Sequence, residues 1–120
     1  MSDNDATPAE EHPAFRALFE YASIKPDATL DHPWGDTVFK VGGKIFVYLG
    51  RNACTVKPLP EELDMLLGRA DVSLSKYIGR YGWITMSIKD DETLELAKSL
   101  IDDTYDQIAP KTKRKRETDQ

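Results

Sequence analysis

The 120-residue sequence predicts an α+β domain: one antiparallel sheet with helices packed on one face, in the order α-β-β-β-α-β-α. Three observations predict it. Two runs rich in β-branched and aromatic residues flank Gly42-Gly43, which marks a hairpin over residues 37–49. Residues 82–88 alternate between two faces, as a strand does. Apolar stripes at helical spacing lie near both ends of the chain.

Taken in order, residues 1–12 are polar and without period, and read as a disordered lead. Pro13 suits the first position of a helix, and Phe15, Leu18, Phe19 and Ala22 give that helix one apolar stripe before Lys25-Pro26 ends it. In the hairpin, a two-residue turn pairs Val41 with Lys44, Lys40 with Ile45 and Phe39 with Phe46. Alternation then puts Lys40 on one face and Lys44 on the other. Ala53 to Lys57 is a third strand, stopped by Pro58. Pro60-Glu61-Glu62 opens a short helix that buries Leu63, Leu66 and Leu67. Gly68 to Ile78 reads as loop. The last helix starts at a cap on Asp90 or Asp91, buries Leu94, Ala97, Ile101, Thr104, Tyr105 and Ile108, and stops at Pro110. The domain thus spans 13–110, followed by a basic disordered tail over 111–120.

Composition narrows the function classes. Apolar residues make up 40% of the chain, enough for one core. No apolar run approaches the roughly 20 residues of a membrane helix. The acidic start lacks an apolar segment behind it, and the one cysteine excludes an intramolecular disulfide, so a cytoplasmic protein is expected; a monomer is expected as well, though none of these features derives it. Charge is uneven: the balance is −6 over residues 1–37, +4 over 38–89, −6 over 90–109 and +3 over 110–120. A polyanion would meet the basic middle and the basic tail.

His12, His32 and Cys54 stand at no chelating spacing, so no metal site is expected. Cys54 lies between Ala53 and Thr55 in a strand, where a thiol packs as a small hydrophobe; a nucleophilic role would need it exposed near His32. No phosphate-loop pattern occurs, and neither a catalytic group nor a cofactor is expected. The basic residues Lys40, Lys44, Arg51, Lys57, Lys76 and Arg80 interleave with Phe39, Phe46, Tyr48, Tyr77, Tyr81 and Trp83, as cations and rings do on a nucleic-acid surface. Lysines also protect sheet edges, so this pattern has a structural reading as well. Lys113, Arg114, Lys115 and Arg116 form an arm able to add unspecific affinity, or a merely solubilising end. Trp34, between Pro33 and Gly35, either anchors a turn or stacks on a ligand.

At Trp34-Gly35-Asp36-Thr37-Val38-Phe39-Lys40-Val41-Gly42-Gly43-Lys44-Ile45-Phe46 the sequence resembles the MmcQ/YjbR family, whose pattern is a Pro/Gly turn leading into a Phe-Lys-Val-Gly-Gly-Lys-x-Phe hairpin. The resemblance continues through Lys57, Pro60-Glu61-Glu62-Leu63, Gly82-Trp83-Ile84 and Leu100-Ile101-Asp102-Asp103-Thr104-Tyr105, and covers residues 13–110. It implies a fold like the frataxin (CyaY) arrangement, described as a double-wing DNA-binding motif, in a bacterial cytoplasmic protein that binds DNA. One departure is the segment from Gly68 to Tyr81, where relatives often carry His or Lys before the tryptophan. The expected function is backbone-dominated DNA binding with weak sequence preference. Lys40, Lys44, Arg51, Lys57, Lys76 and Arg80 would supply charge, Trp83 or Trp34 an aromatic contact, and the tail an arm. The alternative is a protein-interaction or small-ligand module that uses the sheet face and Trp34, with the acidic helices meeting a basic partner. A contiguous positive surface favours the first and an apolar concavity beside Trp34 the second.

Overall fold

The computed structural model describes residues 12–110; residues 1–11 of the lead and the tail, with Lys113, Arg114, Lys115 and Arg116, lie outside the described residues. Helix α1 spans Pro13–Ser23. His12, expected in the disordered lead, instead caps it: its Nδ1 accepts the Ala14 N–H at 3.1 Å. Strands β1 (Thr29–Asp31), β2 (Thr37–Val41), β3 (Lys44–Leu49) and β4 (Ala53–Val56) follow. After a 3-10 turn at Pro60–Glu62 come α2 (Leu63–Leu67), β5 (Val72–Leu74), β6 (Ile84–Ser87) and α3 (Asp91–Ile108). The expected elements are all present, and the structure adds two short edge strands, β1 and β5.

All six strands form one antiparallel sheet in the order β1-β2-β3-β4-β6-β5. Both added strands are three residues long and mostly exposed, so no alternating apolar signal announces them. The hairpin register needs one correction. Val41 pairs with Lys44 and Lys40 with Ile45 as expected, but Phe39 pairs with Val47 because β3 carries a bulge. The extra residue is Phe46, and the bulge lets Phe46 and Val47 both be buried.

One face of the sheet is covered by α1 and α3. Phe39 meets Phe19 of α1 edge-on, and Phe46 meets Tyr105 of α3 in the same way. Leu18, Val41, Ile84, Met86, Leu100 and Ile101 complete this layer, each 1% exposed or less. Helix α3 begins with a capping box in which the Asp90 carboxylate accepts from the Thr93 N–H and the Thr93 hydroxyl accepts from the Asp90 N–H. Its far half is pinned to the sheet by Thr104, whose fully buried hydroxyl accepts from the Lys57 N–H. It ends beside the hairpin, where Pro110 packs on Gly42. The Tyr21 hydroxyl donates to Asp102, and Lys25 pairs with the same carboxylate, which ties α1 to α3. Among the described residues no helix is long and apolar enough to cross a membrane.

Candidate functional site: the open face of the sheet

No α-helix of the described residues lies on the face away from α1 and α3, although Val38 on that face is sealed at 0% exposure. Register and alternation put Lys40, Ile45, Tyr48, Thr55 and Thr85 on the same face. They are half-buried, in contrast to the sealed residues between them. The Thr55 and Thr85 hydroxyls bond at 2.8 Å, and Trp83 stands edge-on to Tyr48. Lys40, Ile45, Tyr48, Thr55 and Thr85 line a groove of about 730 Å³, together with Trp34, Lys76 and Tyr77.

The groove is flanked from diagonally opposite corners of the sheet. The β1–β2 loop brings Trp34 from one edge, and the β5–β6 loop brings Lys76 and Tyr77 from the other. Trp34 is 97% exposed and Tyr77 89%. Both hold the left-handed backbone, with φ of 49° and 64°. Bulky residues seldom adopt it, since Cβ then crowds the carbonyl that follows.

The basic residues divide. Antiparallel pairing gathers Lys44, Lys57, Lys76 and Arg80 at the end of the sheet that carries the Gly42-Gly43 turn. The described chain also ends there, at Pro110. Lys40 and Lys76 line the groove, and the stem of Lys57 approaches Gly82, beside Trp83. The Arg80 guanidinium lies 4.9 Å from the Tyr81 ring centre. Lys44 shares the side of Val41 and so faces the helix layer's edge, opposite to Lys40. Arg51, half-buried in the β3–β4 turn, is at the other end of the sheet. Lys40 pairs with Asp31 of β1 at 2.8 Å, and this hydrogen bond holds the Asp31 carboxyl below its usual range. The sequence missed that pairing because it missed β1.

The helix layer has the opposite sign. Helix α3 carries Asp91, Glu92, Glu95, Asp102, Asp103 and Asp106 against Lys98 alone. Burial first, and then Asp106, Asp102 and Glu61, push the Asp103 carboxyl above its usual range. Cys54 is buried at 1% exposure, and burial pushes its thiol up to about 12. It is unsuited to be a nucleophile, while His32 is exposed in the β1–β2 loop. Among the described residues no group of three or more His, Cys, Asp or Glu is arranged to hold a metal ion.

In the sequence Tyr77 counts only as one of the interleaved rings, with no contact of its own. Its only signal is its place in Lys76-Tyr77-Ile78-Gly79-Arg80-Tyr81, where a ring sits in a mostly polar stretch.

A helix-backed antiparallel sheet with one helix-free face defines the class: a small α+β domain. The chain belongs to the YjbR family, whose model matches residues 23–107. A crystal structure of a structural-genomics target from Pseudomonas syringae has the same fold, with a TM-score of 0.57 at 20% identity. The match covers 74% of this chain and 93% of that one. No curated protein matches the chain.

Proposed function

We propose that the chain binds DNA through the helix-free side of the sheet, with contacts mainly to phosphate and little sequence preference. The observation that carries this reading is the division of charge. Lys57, Lys76 and Arg80 gather at the turn end of the sheet with no salt bridge to any described residue, whereas α3 on the other side is strongly acidic. A polyanion is repelled from the helix layer and drawn to the sheet side. The basic residues beyond Pro110 follow in sequence from that same end. Among the described residues no helix stands on the sheet side to enter a major groove, which is why weak preference is expected.

The test is fluorescence anisotropy of labelled DNA, single-stranded and duplex, across a salt series. The full chain is compared with a Lys57→Gln, Lys76→Gln, Arg80→Gln variant and with one whose Lys113, Arg114, Lys115 and Arg116 are glutamine. Each phosphate contact removed should flatten the salt slope by about 0.9 on duplex or about 0.7 on single strands. Binding that survives the sheet variant unchanged and vanishes in the tail variant assigns the activity to the tail and sinks this reading.

One observation favours a second reading, a small-ligand or protein-interaction module: the groove is a concavity directly beside Trp34. An apolar ligand there would raise the melting temperature by an amount insensitive to salt.

A further inference from the structure

We propose that the groove between Trp34 and Tyr77 takes the unpaired bases of a single strand, stacked on the two rings, with the phosphates passing Lys76. This rests on the nucleic-acid reading above and goes further, since it names the form of nucleic acid and the place of the bases.

Two aromatic side chains stand almost fully in water on a face that has room for them to pack. Each is also held in a backbone conformation that disfavours a bulky residue. Exposed apolar area and backbone strain are both unfavourable, and strain of this kind concentrates at ligand clamps. Among the described residues neither ring stacks on another ring. The two come from separate loops at opposite edges of the sheet and line one groove. Packing of the core explains neither.

The occupant follows from the chemistry of the lining. Flat apolar faces ask for flat partners. Lys76 adds a cation without a salt bridge to any described residue, and the acidic helix layer leaves this face as the approach for an anion. Asp36 lines the groove with Trp34, so phosphate is disfavoured at that corner and favoured near Tyr77. A planar, apolar-faced unit on an anionic chain is a nucleotide. A volume of about 730 Å³ falls in the range of small-ligand sites and has room for a base or two. The bases of a duplex stack on one another and offer no free faces, whereas those of a single strand do.

The experiment measures binding of the full chain to a labelled oligothymidylate of about 10 nucleotides and to a duplex of equal length. The expected result is tighter binding of the single strand. A Trp34→Gly, Tyr77→Gly variant should lose affinity by roughly tenfold per ring on the single strand and little on the duplex. Trp34→Tyr should restore most of the loss. Trp34 emission should fall on single-strand binding, read as the difference between wild type and Trp34→Gly. Glycine is the chosen replacement because it accepts positive φ, and a melting temperature no lower than that of the wild type certifies the fold. Equal or tighter duplex binding overturns the single-strand inference and leaves the DNA reading standing. So does single-strand binding that the double variant does not weaken. Absence of binding to either probe at low salt overturns both and leaves the groove to an apolar ligand or a peptide.

Discussion

Trp34 and Tyr77 carry a prediction about stability as well as binding. An L-residue in the left-handed region costs about 1–2 kcal/mol, and glycine there is free of that cost. Glycine also loses more chain entropy on folding, by roughly 0.5–1 kcal/mol. Trp34→Gly and Tyr77→Gly should each therefore leave stability unchanged or raise it by up to about 1.5 kcal/mol in urea titrations. A loss above about 2 kcal/mol would mean that these rings hold the fold together after all. Cys54 gives the opposite kind of test. Sealed in the core with its thiol near 12, it should react with a disulfide reagent at pH 8 far more slowly than the unfolded chain does. A rapid native-state reaction would reopen a nucleophilic role for it.

At the scale of elements, the hairpin separates two neighbouring glycines. Gly42 has φ of +60° and Gly43 of +82°, so alanine is strained at either. Only at Gly42 would the new Cβ also meet another element, 3.0 Å from Cγ of Pro110. Gly43→Ala should cost about 1–2 kcal/mol, and Gly42→Ala should cost more, since α3 must also shift its end. Equal losses in paired denaturation curves would show that Pro110 moves freely. The bulge in β3 belongs to this scale too. Strict alternation from Val47 would have turned Phe46 to the open face, where it would have met Lys40 rather than Tyr105.

For the whole molecule, acid should be the weak side. The Arg69 guanidinium holds Asp71 below the usual carboxylate range, and the backbone N–H of Thr93 does the same for Asp90, as Lys40 does for Asp31. Each folded-state pKa is lower than in the unfolded chain, so the unfolded chain takes up protons first as pH falls. The stability these groups contribute is full above about pH 4 and is lost below it, as pH drops through the folded values. Asp103 has the opposite sign, because its raised pKa makes protonation favourable to the fold. With more groups depressed than raised, the urea midpoint should fall between about pH 5 and pH 2. Asp71→Asn should flatten that fall, since Arg69 also reaches Glu92 and Lys89 is near Asp71. An unchanged pH profile in this variant would show that the Arg69 cluster contributes nothing to acid sensitivity.

The sequence by itself determined the layers. Stripes of Phe15, Leu18 and Ala22 and of Ala97, Ile101 and Tyr105 call for a second layer to bury them, and Gly42-Gly43 between two strand-like runs marks a tight turn. Those are local patterns, and local periodicity is what a sequence displays directly. Tertiary structure alone decided the rest. Strands β1 and β5 are too short and too exposed to show a period, and they exist because β2 and β6 offer them hydrogen bonds. The bulge at Phe46 answers to the room beside Tyr105, which lies far along the chain. The site divides in the same way. Lys40, Lys57, Lys76, Arg80 and Trp34 were legible as candidates by residue type, but the separation of Lys44 and Arg51 from them depends on pairing and strand direction. That Trp34 and Tyr77 share one groove is fixed by the strand order, which brings loops from opposite edges over the same open face.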